Sequence, residues 1–191
     1  ITPASPILEG LSHLKKYGVK CVQAEDEIAA IGVAIGASFA GDLSVCATSG
    51  PGMCLKSEFI GLASITELPL IICNVQRGGP STGLPTKVEQ SDLLQSMFSR
   101  NGDSPIPIIA AHSASDCFDC ALEATRIALT YKTPVILLSD LYIANGAEPW
   151  GIPNVSELPD LEVPFVDPCE EYLVYKRDPE TLAREQAIPG Q

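Results

Sequence analysis

Four short runs of consecutive apolar residues, LSVCAT (43–48), LIICNV (70–75), IPIIAA (106–111) and PVILLSD (134–140), alternate with longer stretches whose apolar residues recur at helical spacing. Runs that are apolar at successive positions, rather than at every second one, predict strands buried on both faces. Separated by helical patterns over 53–68, 90–98 and 115–131, they predict an α/β fold: a parallel sheet flanked by helices. At the front, Ser5 reads as an N-cap with Pro6 at the first helical position, and Ile7, Leu8, Leu11 and Leu14 follow at helical spacing. Gly18 is expected to end that helix, and the alternation over 20–24 predicts one more short strand.

The stretch from Gln23 to Pro51 carries the strongest pattern. Glu25, Asp26 and Glu27 precede a run to Gly41 that is almost free of charge and contains no proline, which predicts a helix buried on most of its surface. The acids suit the positive end of its dipole. Gly32, Gly36 and Gly41 weaken a helix, a cost accepted where another backbone approaches closely. After the strand LSVCAT comes a tight turn, Ser49-Gly50-Pro51-Gly52, and then a second helix from Met53.

Ligands of parallel sheets bind outside the carboxyl ends of the strands, so the loops at 24–27, 48–52 and 75–89 are the ones to inspect. Glu27 is expected to be the partly buried acid of its cluster, because it lies nearest the apolar part of the helix. The TSGPG turn is either a plain connection or a set of N–H groups facing an anion or cofactor edge. The third loop, QRGGPSTGLPTKVE, is too long for a bare connection in a compact domain. Its Arg77 is expected to be an exposed guanidinium on a flexible segment, suited to grip a carboxylate with two parallel hydrogen bonds. From residue 145 onward, Pro149, Pro153, Pro159, Pro164, Pro168 and Pro179 come too close together for long helices. The chain therefore divides into a domain over 1–145 and a proline-rich linker or wrapping tail over 146–191, and is read as a fragment of a longer polypeptide.

Composition narrows the function classes. A formal charge of -12 over 191 residues argues against a nucleic-acid surface. No apolar run approaches the roughly 20 residues that a membrane-spanning helix needs. The seven cysteines are scattered, three of them (Cys21, Cys46, Cys73) inside strand-like segments, and are expected to be reduced thiols of a cytoplasmic protein. Cys117 and Cys120 form a single CxxC without a second pair, and His13 and His112 are isolated. No dinucleotide or phosphate-loop glycine motif and no aspartate-rich metal motif is present.

Taken together, EDEIAAIGVAIGASFAG, ATSGPG, VQRGGPSTGLPTKVEQSDL and TPVILLSDLYIANGAEPW resemble the pyrimidine-binding domain of the alpha subunit of 2-oxoacid:ferredoxin oxidoreductases, in the 2-oxoglutarate branch with a fused gamma domain. The resemblance covers nearly the whole chain and implies thiamine diphosphate as cofactor. It implies that Glu27 contacts the aminopyrimidine ring, favouring the imino tautomer that takes the proton from the thiazolium carbon. By the same resemblance Ser49, Gly50, Pro51 and Gly52 line the cofactor, Thr2 and Arg77 hold the 2-oxoacid carboxylate, and Ser81, Thr82 and Lys87 shape the substrate end. It further implies a beta subunit that carries magnesium and an iron–sulfur cluster, with coenzyme A and ferredoxin as reaction partners in a hetero-oligomer. The expected reaction is oxidation of 2-oxoglutarate to succinyl-CoA. The rivals are the same reaction on pyruvate or a branched or aryl 2-oxoacid, a non-oxidative thiamine decarboxylase, and a scaffolding module that kept the fold without catalysis.

Overall fold

The computed structural model describes residues 1–167 and 171–190. Pro168, one of the prolines predicted to keep the tail irregular, lies outside the described residues. Four parallel strands form one sheet in the order β1-β2-β4-β3: β1 (Ser44–Thr48), β2 (Leu70–Gln76), β3 (Ile108–Ala110) and β4 (Pro134–Asp140). The central pair runs in register from Leu70 opposite Pro134 to Gln76 opposite Asp140. Both central strands are buried at nearly every position, which is why they are mainly apolar at successive positions instead of alternating.

Successive residues of β2 feed different layers. Leu70 and Ile72 join Ile31 and Ile35 of α2 (Glu27–Phe39) and Met53 and Ile60 of α3 (Gly50–Ile65) on one face. Ile71 packs with Ala124 and Ala128 of α5 (Asp116–Tyr131) on the other. Shorter helices complete the body: α1 (Ser5–Ser12), α4 (Leu93–Phe98) and α6 (Leu141–Asn145).

Several boundaries differ from expectation. The helix α1 is capped by Ala4 and ends at Ser12; a separate 3-10 turn, Lys15–Tyr17, closes on Gly18, whose φ of 85° is the left-handed conformation that glycine allows. Residues 20–24 form no strand, since they gain no ladder partner, and Val22 is left 57% exposed. Gly50, Pro51 and Gly52 are the first turn of α3 and not a turn preceding it, because Ser49 is already the N-cap and proline is tolerated in a first turn.

Beyond residue 146 the chain is mostly irregular and lies against the body. Arg184 donates to the Thr66 carbonyl at 2.9 Å, and Arg177 and Arg184 both pair with Glu67. Phe165 and Ile188 close over Gly41, where a Cβ would lie 2.6 Å from Ile188 Cγ2. All these contacts sit at the carboxyl ends of helices, the side of the sheet opposite the carboxyl ends of the strands.

Candidate active site

Glu27 is the first residue of α2. Asp26 before it is the N-cap, its carboxylate accepting from the Ala29 N–H at 2.7 Å. Glu27 is half-buried while Glu25 and Asp26 are exposed, as expected for the acid closest to the apolar run. Gly52 lies directly behind it. A Cβ on Gly52 would stand 2.8 Å from Glu27 Cγ and 2.0 Å from Thr48 Oγ1, so only glycine lets α3 approach this closely. One turn further along α3, Lys56 is 1% exposed and donates from Nζ to the main-chain carbonyl of Glu27 at 2.8 Å. Burial pushes the Lys56 ammonium below its ordinary range and the neighbouring Cys46 thiol above its own, with mutual attraction opposing both shifts.

A cleft of about 580 Å³ opens beside this group, with Ile1, Ala4, Glu25, Glu27, Cys46 and Lys56 among its walls. Leu8, Val22, Ala30, Val45 and Ala47 make much of the remainder apolar. An acid at the mouth, seated against Gly52, and partly apolar sides suit a flat heteroaromatic ring with one basic edge nitrogen. The residues present therefore fit the pyrimidine end of thiamine diphosphate.

The TSGPG turn contributes mainly from behind. Ser49 is fully buried and its Oγ has no hydrogen-bond partner among the described residues. The start of α3 faces a carboxylate of this same chain, since a Cβ on Gly50 would lie 2.8 Å from Asp92 Oδ2. Asn74 Nδ2 holds that carboxylate at 2.9 Å, and the Asp92 N–H donates to Gln76 Oε1 at 2.9 Å. Beside it, Gln90 Nε2 donates to Asp140 Oδ2 at 2.7 Å. A buried polar layer thus crosses the carboxyl ends of β2 and β4.

Arg77 departs from expectation. It is only 5% exposed, because it follows directly on β2 and its side chain runs inward between two segments. Nη1 donates to the Thr2 carbonyl at 2.7 Å and Nη2 to the Thr82 carbonyl at 2.9 Å, while Nε has no partner among the described residues. Neither is the loop flexible in form. The Gly78 N–H donates to Lys87 O at 2.9 Å, the Leu84 N–H to Gly78 O at 2.9 Å and the Gly79 N–H to Glu89 Oε2 at 2.8 Å. Gly83 takes φ +44° with no room for a Cβ, which would lie 2.3 Å from Gly78 O.

Thr2, Arg77 and Thr82 are therefore brought together, and residues 1–4 connect them to the wall of the Glu27 cleft. Ser81 and Lys87 remain on the exposed side of the loop. Lys56, Asn74, Gln76, Asp92 and Asp140 were not singled out by sequence reasoning. The available signal was polarity out of place: a lysine inside GMCLKSEFIGLASI and an asparagine and glutamine inside LIICNVQ.

Comparison with known proteins bears on the chain as a whole. Residues 1–191 match the family described as pyruvate flavodoxin/ferredoxin oxidoreductase, thiamine diphosphate-binding. The chain is 59% identical over 190 residues to the 2-oxoglutarate oxidoreductase subunit KorA of Mycobacterium tuberculosis, covering all of this chain and 29% of that protein. It is 44% identical over 163 residues to the 2-oxoglutarate synthase subunit KorA of Archaeoglobus fulgidus, covering 85% of this chain and 47% of the relative. A solved 2-oxoglutarate:ferredoxin oxidoreductase from Magnetococcus marinus, with 2-oxoglutarate, coenzyme A and succinyl-CoA bound, superposes with a TM-score of 0.90 at 40% identity, over all of this chain and 33% of that one. The chain thus spans about a third to a half of the length of these relatives. With the family matched end to end and the fold shared, the chain belongs to the pyruvate flavodoxin/ferredoxin oxidoreductase family of thiamine diphosphate-binding domains.

Proposed function

We propose that this chain is the pyrimidine-binding part of a 2-oxoglutarate:ferredoxin oxidoreductase, which converts 2-oxoglutarate and coenzyme A to succinyl-CoA and CO2 with reduction of ferredoxin. The observation that carries the reading is the Glu27 cleft, whose acid is seated against Gly52 and which is walled by the same N-terminal segment that Arg77 holds. Bound thiamine diphosphate supplies the chemistry that breaks the carbon–carbon bond beside a 2-oxo group. The chain's own residues bind, orient and move a proton.

Glu27 would hydrogen-bond the ring nitrogen of the bound cofactor and hold or move the proton at its own carboxyl, with the apolar part of the cleft wall limiting competition from water. Ser49, Gly50, Pro51 and Gly52 set the distance at which the ring meets Glu27. Arg77 holds Thr2 and Thr82 with two of its five N–H donors, which leaves three, including the unpartnered Nε–H, for a carboxylate. Thr2 and Arg77 then grip the carboxylate shared by all 2-oxoacids, and Ser81, Thr82 and Lys87 shape the distal end.

A partner subunit completes the site. The diphosphate needs a metal, and among the described residues no group of three or more His, Cys, Asp or Glu side chains could hold one. Docking is supported by the exposed apolar side chains Ile28, Val33 and Phe39 of α2 and Leu55, Leu62 and Ile65 of α3. No helix among the described residues is long and apolar enough to cross a membrane.

The test is anaerobic, coenzyme A-dependent reduction of a viologen dye by the assembled complex, with 2-oxoglutarate and pyruvate compared. Turnover with 2-oxoglutarate is expected, falling about 10²-fold or more in Glu27→Gln. Preference for pyruvate would overturn the substrate and keep the site, while full activity in Glu27→Gln would overturn the site.

A further inference from the structure

Lys56 is a long cation taken almost entirely out of water with no carboxylate in direct contact; those of Glu27 and Asp26 attract it only from a distance. It is 1% exposed, and among the described residues it makes no ion pair. Its ammonium meets a thiol, that of Cys46, and the main-chain oxygen of Glu27 at 2.8 Å. For packing alone this is a poor choice, since a methionine of similar length fills the same space without desolvating a charge. The position supplies a reason. Gly52 and Lys56 are four residues apart on α3, hence on one face, and both touch Glu27: one leaves no gap behind its Cγ, the other holds its carbonyl.

We infer that Lys56 is a positioning residue for Glu27: its buried ammonium, bonded to the Glu27 carbonyl, fixes where α2 begins and so the height at which the Glu27 carboxyl meets the edge of a bound aminopyrimidine. The inference rests on the proposed reading of this cleft. Lys56 also lines the cleft wall, but it acts through the acid rather than on substrate. Gly52 prevents Glu27 from being pushed forward, and Lys56 prevents it from swinging away; the two restraints lie one turn apart on the same face of α3.

The test compares Lys56→Met, which keeps volume and loses the donor, with Lys56→Gln, which keeps an N–H donor without charge, in the assembled complex. Three quantities are read: the dissociation constant of thiamine diphosphate by fluorescence quenching, the deuterium exchange rate at the thiazolium C2 of bound cofactor, and kcat against KM for 2-oxoglutarate. In Lys56→Met, C2 exchange and kcat are expected to fall together by about tenfold or more with KM changed by less than about twofold, the signature of a misplaced acid. Lys56→Gln is expected to recover part of the loss.

Unchanged C2 exchange in Lys56→Met would overturn the inference, as would equal losses in both variants traceable only to weaker cofactor binding. Should Lys56→Met fail to assemble, Lys56→Gln carries the same readings; failure of both would make Lys56 a folding residue and overturn the inference too. Glu27→Gln measured in parallel separates the two levels. Intact exchange there overturns the reading of the cleft, whereas intact exchange in Lys56→Met alone overturns only the role of Lys56.

Discussion

One methyl group at position 52 would put a carbon 2.0 Å from Thr48 Oγ1 and 2.8 Å from Glu27 Cγ. Neither neighbour can yield easily, since Thr48 is fully buried in β1 and Glu27 is fixed at a helix start. Gly52→Ala is therefore expected to lose about 1–3 kcal/mol of stability by overpacking and to reduce turnover about 10²-fold by displacing the acid. Combining it with Thr48→Ala removes the closer clash and leaves the second. The double variant should regain stability in urea denaturation while turnover stays low; recovery of both together would show that position 52 matters only for packing. At the other pole of the site, Arg77→Lys keeps the charge but not the planar fork that bonds two carbonyls and retains donors for an anion. It is expected to raise KM for 2-oxoglutarate about tenfold or more, measured in the viologen assay, with cofactor affinity little changed.

The long apolar runs were the most readable elements, β4 being predicted to the residue over 134–140. A strand buried on both faces announces itself by composition, and here Asp140 marks the stop by capping α6 with its own carboxylate. The strand expected over 20–24 illustrates the limit: alternation is a local property, whereas a strand exists only if a neighbour offers a ladder. The buried position of Arg77 was hidden for the same kind of reason, as nothing local shows that Thr2, 75 residues earlier, would supply an acceptor. Glu27 and its glycine turn were legible because helix start, strand and turn are contiguous. The polar layer of Asn74, Gln76, Asp92 and Asp140 draws on three separate elements and was not.

Helix α5 offers a prediction in pH. It ends at Lys132, whose φ of 52° turns the side chain back to the Leu129 carbonyl. Burial, with Arg184 nearby, pushes the Lys132 ammonium from 10.5 down to about 8. Below pH 8 this lysine is protonated in the folded and unfolded chain alike; between about 8 and 10.5 the unfolded chain alone keeps the proton, so the stability contributed by this residue rises with pH. Lys132→Asn, which tolerates the left-handed backbone, should lose that rise. Thiols run the other way: burial pushes Cys73 up to about 12 and Cys120 up to about 11, so their contribution is complete below 9 and declines above it. Urea midpoints are expected to climb from pH 7.5 to 9 in the wild type relative to Lys132→Asn and to turn over at higher pH. Parallel curves for the two proteins would refute the assignment.

For the whole molecule, the described contacts of residues 165–188 with α2 and α3 lie at the carboxyl ends of those helices, remote from the Glu27 cleft, whereas Glu148 and Trp150 meet the start of α5. Arg184→Ala removes a hydrogen bond to the Thr66 carbonyl and one of the partners of Glu67. It is expected to cost about 1 kcal/mol, read as a lower Tm, with cofactor affinity unchanged. A matching loss of cofactor binding would show that the two ends of the molecule are not independent.

There is a route by which they could communicate. The 13 residues of α2 form a rod about 20 Å long. Glu27 sits at its tip, while Phe165 and Ile188 clasp Gly41 just past its base. Such a rod behaves as a lever: a tilt of about 3° at the base carries the tip through about 1 Å, the scale of misalignment that costs a catalytic group about 10²-fold. The clasp at Gly41 is then the fulcrum of the acid, and a substitution there, far from any substrate, would be felt first in the speed of proton transfer.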